Sequence, residues 1–147
     1  MKTKKMMMTM VFALFGWQLA TADEARPITM DKLPKGVVTF IETHFPGEKV
    51  SIAKVDRELF EVRYEVVLMN GAKMEFLSDG SWEEVDCRYQ AVPDAVIPPE
   101  ILASVKERYP ECKILEINRE SRTYEVKISN GLELIYDRRF HLIDIDD

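Results

Sequence analysis

Residues 64–76 read YEVVLMNGAKMEF, and sixty positions later residues 124–136 read YEVKISNGLELIY. No other feature of this 147-residue chain restricts its fold as tightly. Apolar side chains recur at every second position: Tyr64, Val66 and Leu68 in one copy, Tyr124, Val126 and Ile128 in the other. That period belongs to a strand with one buried face. Each strand runs into Asn-Gly, and a second alternating run follows: Ala72, Met74, Phe76 in one copy and Leu132, Leu134, Tyr136 in the other. Two hairpins of one design are expected.

Register selects the turn. A two-residue loop would pair Val66 with Glu75 and Val126 with Ile135, which mixes the faces. A three-residue loop ending at Gly71 pairs Tyr64 with Phe76, Val66 with Met74 and Leu68 with Ala72. The same loop ending at Gly131 pairs Tyr124 with Tyr136, Val126 with Leu134 and Ile128 with Leu132. One residue of slip would turn a whole strand over, so this agreement predicts a type I turn with left-handed Gly71 and Gly131 at a bulge. At Asp79-Gly80 a two-residue loop is expected instead. It places Glu83 and Val85 on the buried side, with Ile143 and Ile145 in the second copy, and turns Trp82 and Leu142 to the opposite face.

Upstream of each hairpin the period lengthens. Leu33, Val37, Ile41 and Phe45 recur every four residues, as do Ile97, Ile101, Val105 and Tyr109, giving one face of a helix of about three turns. Pro34 and Pro98 suit the first turn, and Pro46 and Pro110 end each helix. The helices align at an offset of 64 and the hairpins at 60, so the second copy lacks four residues in between. Short strands are expected in that interval, near Val50–Val55 and Ile114–Ile117. The fold class is therefore α+β. Each of two tandem units has one helix and a three- to four-stranded antiparallel sheet, and the sheets join edge to edge into one curved sheet with both helices on one face.

The first 22 residues stand apart. Lys2, Lys4 and Lys5 precede the run MMMTMVFALFGWQLA, and Ala20-Thr21-Ala22 offers small residues for cleavage. This is a secretory signal, cut after Ala22, that sends residues 23–147 to the periplasm or beyond. The apolar run is short for a membrane span, and no span is expected after cleavage. Residues 23–87 form the first repeat, 88–96 a linker and 97–147 the second repeat. Loss of the three lysines takes the formal charge from −6 to −9. Such a charge repels phosphate backbones and anionic membranes, which excludes nucleic acid as a partner. Cys87 and Cys112 bracket the linker. An oxidising compartment permits a disulfide between them, which would close a loop of about 25 residues and contribute roughly 3 kcal/mol. Two independent thiols are the alternative.

Catalytic constellations are missing. His44 and His141 are the only histidines, and neither has a ligand partner at metal-binding spacing. The tail DIDD lacks the glycine and alternating ligands of a calcium loop, and there is no glycine-rich phosphate loop. Neither cysteine stands at a helix N-terminus or in a basic cluster. The reading is a non-enzyme with no metal and no cofactor. What remains is the open sheet face, to which Val67, Met69, Leu77, Trp82, Glu84, Lys127, Ile135 and Leu142 are assigned. An aromatic among aliphatics with interleaved charge is the composition of a protein-binding surface. A small-ligand sensor or carrier, binding between sheet and linker, is the second reading. A minor hydrolase built on His44 or His141 is the third.

The segments LPKGVVTFIETHFPG, YEVVLMNGAKMEFLSDGSWEEVD and IPPEILASVKERYP, followed by YEVKISNGLELIYD, together resemble the PepSY-like periplasmic proteins of Bacteroidetes. That family is described as β-lactamase-inhibitor-like in fold, and the likeness spans about residues 29–147. It implies a tandem helix-plus-sheet protein of the periplasm. By fold analogy it also implies a protein partner in the cell envelope, bound through the concave sheet, with inhibition of an exported hydrolase as one form of that binding. The second copy departs from the pattern: Arg138-Arg139-Phe140 replaces Ser78-Asp79-Gly80, and Leu142 replaces Trp82.

Overall fold

The computed structural model describes residues 25–147, so the predicted signal and its cleavage point lie outside the described residues. Nine strands follow one another: β1 (Arg26–Ile28), β2 (Val50–Arg57), β3 (Val62–Leu68), β4 (Lys73–Leu77), β5 (Trp82–Asp86), β6 (Ile114–Arg119), β7 (Thr123–Ile128), β8 (Glu133–Asp137) and β9 (Leu142–Asp146). They form a single antiparallel sheet in chain order. Helix α1 (Lys35–His44) precedes β2, and α2 (Pro99–Arg108) precedes β6. The duplicated unit merges into one sheet because β5 pairs directly with β6, Val85 opposite Ile117.

One apolar row crosses the junction without a break. Ala53, Val66, Met74, Val85, Ile117, Val126 and Leu134 stand side by side on successive strands. All seven are buried. Both helices lie against this row's face. Leu33, Val37, Ile41 and Phe45 of the first unit join Ile97, Ile101 and Val105 of the second in one continuous core. Pro34 and Pro98 sit just before the first helical turn, and the N–H groups of Phe45 and Tyr109 close each helix onto Ile41 and Val105.

Equivalent core positions use different chemistry. In the first unit the Phe40 ring meets Phe76 edge-on at 5.3 Å. In the second, the Tyr136 hydroxyl donates to Ser104 Oγ at 2.9 Å. Each pair is self-consistent, a ring on a ring or a donor on an acceptor.

The two Asn-Gly turns have the expected register. The Leu68 N–H bonds Ala72 O at 2.8 Å and the Gly71 N–H bonds Leu68 O at 2.9 Å; Ile128 and Gly131 repeat the pattern. Gly71 and Gly131 have φ of +93° and +94°, where a Cβ is strained. Asn70 and Asn130 accept the N–H two residues on, which locks each loop.

The turn after β4 differs from expectation. Here too the loop has three residues: the Leu77 N–H bonds Ser81 O, and the Gly80 N–H bonds Leu77 O. One extra residue in the loop would flip β5, but a bulge at Glu83 restores the register. Val85 reaches the core as expected, whereas Glu83 does not. The bulge keeps its carboxylate out of the apolar row, where burial would be costly, and it pairs with Arg63 Nε at 3.4 Å. Trp82 consequently stands opposite Phe76, and Leu142 opposite Tyr136 by the same device at Ile143. Both pack against the core rather than facing the open side. Ile143 is exposed, and so is Ile145 at the sheet edge.

Two further features were not expected. β1 pairs with β2 at the sheet edge, where Pro27 is tolerated because it owes no ladder bond. The four residues missing from the second copy belong to the β2–β3 arm. Both arms end in a two-residue loop, Leu59-Phe60 and Ser121-Arg122, but the first carries two additional residue pairs.

Candidate functional site

Neither helix covers the second face of the sheet. Two rows of mostly charged side chains cross it. One contains Lys54, Glu65, Glu75, Glu84, Asn118 and Glu125; the other contains Val67, Lys73, Asp86, Glu116, Lys127 and Glu133. Of the residues assigned to this face from the sequence, Val67, Leu77, Glu84, Lys127 and Ile135 share it by register. Met69 sits at the β3–β4 turn and is exposed, and Trp82 and Leu142 are turned to the core.

The first unit's half of this face is organised around Lys73. Its Nζ lies 3.9 Å from a carboxylate oxygen of each of Glu65, Glu75 and Glu84. Burial and the charge of Glu75 push the Glu84 carboxyl up from 4.5 to about 7, against the pull of Lys73. A carboxyl whose folded value exceeds its unfolded value holds its proton more tightly when folded. Its contribution to stability therefore falls as pH rises from 4.5 to about 7. Chemical denaturation of Glu84→Gln should give a flatter stability curve across that window and a more stable protein above it. Curves that run parallel to wild type would remove Glu84 as the source of the dependence.

Glu84, Asp86 and Glu116 gather at the seam between the units, with one carboxylate oxygen from each within 4.8 Å of the others. Lys127 Nζ stands 3.3 Å from Glu116. This trio joins β5 to β6, so it exists only because the two units pair.

A hollow of about 530 Å3 opens at the sheet end that carries the β2–β3, β4–β5, β6–β7 and β8–β9 turns. Leu77 and Trp82 supply its apolar wall. The guanidinium of Arg119 lies over the Trp82 ring at 4.4 Å and donates to Trp82 O at 2.7 Å. Arg63 bridges Glu61 at 3.1 Å and Glu83 at 3.4 Å. The bulge therefore withdraws Trp82 from the open face yet leaves it lining this hollow. In the second unit Asp137 holds the position equivalent to Leu77, and it accepts the N–H groups of Arg139 and His141. It has a turn to cap, whereas in the first unit Asp79 caps the turn and Leu77 is left to line the hollow.

The remaining candidates separate. Cys87 and Cys112 are free thiols, not a disulfide: each packs into or against the core as a small apolar group. Burial pushes the Cys87 thiol up to about 11, far from a reactive thiolate. Thiol titration should find Cys112 reactive in the native protein and Cys87 only after unfolding; two sulfurs silent in denaturant would restore the disulfide. The His44 ring rests on Phe40 at 4.6 Å, and His141 Nδ1 lies 3.3 Å from Asp137. A second surface hollow, about 540 Å3, is lined by Ile28, Lys32, Arg57 and Tyr64 at the β1 edge, away from the interval assigned to the linker. Leu59 and Phe60, 90% and 95% exposed, were passed over by sequence reasoning. The signal was there: Leu-Phe stands where the second copy has the polar Ser121-Arg122.

The sequence profile of the family described as "Putative beta-lactamase-inhibitor-like, PepSY-like" matches residues 16–65 and again 62–144. The chain belongs to the PepSY-like family. The first match ends within β3, and the second runs from β3 into β9. Three solved Bacteroides structures resemble this PepSY-like chain. A Bacteroides vulgatus protein described as a "putative periplasmic protein" shares 46% identity and a TM-score of 0.83, covering 86% of this chain and 100% of its own. A protein from Bacteroides thetaiotaomicron described as calcium-regulated and periplasmic shares 44% identity at TM-score 0.82, with coverage of 86% and 100%. A further Bacteroides vulgatus protein, described as a "putative periplasmic protein of unknown function", shares 34% at TM-score 0.77, covering 81% and 95%. Among curated proteins none matches. No helix among the described residues is long and apolar enough to cross a membrane.

Proposed function

We propose that this chain is an exported, non-enzymatic protein-binding module of the periplasm that acts through the open face of its sheet, centred on the hollow at Leu77 and Trp82. The observation that carries the reading is the uncovered face itself. The helices screen one side of the central strands only, and the open side runs out at a hollow where Leu77 meets the half-buried, core-packed Trp82, framed by Arg63, Arg119, Glu61 and Glu83. An apolar centre inside a polar rim is how protein interfaces are built. The periplasmic relatives support export, and the family description supports an exported hydrolase as the partner, with this chain as its inhibitor.

Immobilised residues 23–147 should retain a discrete protein from envelope extract of the native host. Retention should fall roughly tenfold or more for Leu77→Asp and Trp82→Ala. Equal retention by all three proteins would overturn the surface. Hydrolase activity that is the same in treated and untreated extract would remove the inhibitory part alone.

A second reading rests on the Bacteroides thetaiotaomicron relative described as calcium-regulated, together with the Glu84, Asp86 and Glu116 trio. Three carboxylates offer calcium part of its six to eight oxygen ligands, but Lys73 and Lys127 compete for them. Calcium should raise the melting temperature of the wild type more than magnesium does and leave an Asp86→Asn variant unmoved. Identical responses would end this reading.

A further inference from the structure

We propose that Leu59-Phe60 is an insertion knob: the tip of the β2–β3 arm enters an apolar, basic-rimmed pocket on a partner protein of the cell envelope. The proposal concerns the arm that borders the hollow, and it stands whether or not the open face is used.

The two units provide an internal control. The second unit makes the same connection with Ser121-Arg122, and its hairpin closes with the Glu120 N–H on Thr123 O at 2.8 Å. The first unit closes its own with the Glu58 N–H on Glu61 O at 2.9 Å. The turn therefore does not require apolar residues. Fold cannot account for the arm's length either. Arg57 opposite Val62 and Glu58 opposite Glu61 are additions that carry the tip about 7 Å further, at roughly 3.3 Å per residue. An insertion that lengthens an arm and places a leucine and a phenylalanine, 90% and 95% exposed, at its end exposes apolar surface that folding would otherwise bury. Leu and Phe side by side are anchors of the kind that fill a preformed pocket.

Charge identifies the occupant. Glu58 and Glu61 are the charges next to the tip, Arg57 and Arg63 stand further back on the arm with Arg63 held 3.1 Å from Glu61, and the whole chain is acidic at −6. Anionic lipid headgroups would repel that arrangement, because membrane-inserting tips carry basic flanks. A second copy of this chain would bring its own carboxylates to the contact. A protein pocket with an apolar floor and a lysine- or arginine-rich rim satisfies both the tip and its flanks. Glu61 also lines the hollow beside Trp82, so the knob and the hollow address the same end of the sheet.

The test places a photo-crosslinking benzoylphenylalanine at Phe60 in the full chain produced in its native host, and at Ser121 as the control. Because both positions are exposed loop tips, folding is checked directly by circular dichroism. The expected result is one heteromeric protein adduct from position 60 and none from position 121. Its yield should fall at least about tenfold on Leu59→Ser and decline with rising salt, and the crosslinked partner peptide should border lysines or arginines. Any of four results overturns the proposal. These are equal labelling from both positions, an adduct of twice the chain's own mass, an adduct whose partner site is acidic, or lipid labelling with co-sedimentation on phosphatidylglycerol–phosphatidylethanolamine vesicles. Loss of the Leu77→Asp binding phenotype with the position-60 adduct intact would dismiss the open face and leave the knob standing.

Discussion

Replacing Phe76 with alanine is expected to destabilise residues 23–147 by about 3–5 kcal/mol, among the largest effects available to a single substitution here. The side chain is fully buried, opposite Tyr64 and Trp82 on its own sheet, and it receives the edge of Phe40 from α1. Removing it leaves a cavity between helix and sheet that neither rigid layer can close. On a domain of this size the melting temperature should fall by roughly 10 °C or more. A subtler comparison tests the packing logic. Phe76→Tyr alone puts a hydroxyl against Phe40 with no acceptor, at a cost of about 1–3 kcal/mol. Phe40→Ser together with Phe76→Tyr recreates the Ser104–Tyr136 pair of the second unit and should recover part of that loss. A Phe76→Ala variant that melts within a few degrees of wild type would mean α1 does not pack where it is placed.

Gly80→Ala is expected to cost roughly 2–4 kcal/mol, well beyond the same change at Gly71, about 1 kcal/mol. Both glycines have positive φ, so both substitutions strain the backbone. Only Gly80 also meets another chain segment: a Cβ there would lie 3.2 Å from the Gly36 Cα, whereas one at Gly71 meets nothing within 4 Å. The turn and the start of α1 touch glycine to glycine, and a backbone atom cannot step aside as a flexible side chain can. In the second unit Phe140 and Glu100 hold the two equivalent positions, and Phe140 adopts φ of +68° while packing on Tyr124. Equal losses at Gly80 and Gly71 in a denaturant titration would show that the contact with Gly36 carries no weight.

The helices and the two Asn-Gly hairpins were legible in the sequence because each rests on a period and a local rule. Leu33 to Phe45 share one helical face, and Asn70-Gly71 can be tested against two strands at once. The misplacement of Trp82 and Leu142 has an equally local cause. A bulge adds one residue without leaving a composition, so an odd loop followed by a bulge reads in sequence like an even loop without one. Glu83 carried the hint, since no register gave it a comfortable buried place, and the structure resolves this by bulging that residue. The seam trio and the hollow could not be read locally, because both depend on β5 meeting β6 across the chain between Asp86 and Ile114. The edge strand β1 was hidden by its brevity and by Pro27. Leu59-Phe60 was visible but unweighted. The four-residue offset between the copies marks an insertion, and only the register of the arm places the extra residues in β2 and β3 on either side of the tip.

Amide hydrogen exchange on residues 23–147, alone and with the protein they retain from envelope extract, tests the central claim most directly. The account predicts that binding slows exchange at the turn end of the sheet, in the arm at 57–62 and across 77–84, while α1 and α2 exchange as in the free protein. Protection concentrated on the helices, with the turn end unchanged, would contradict it.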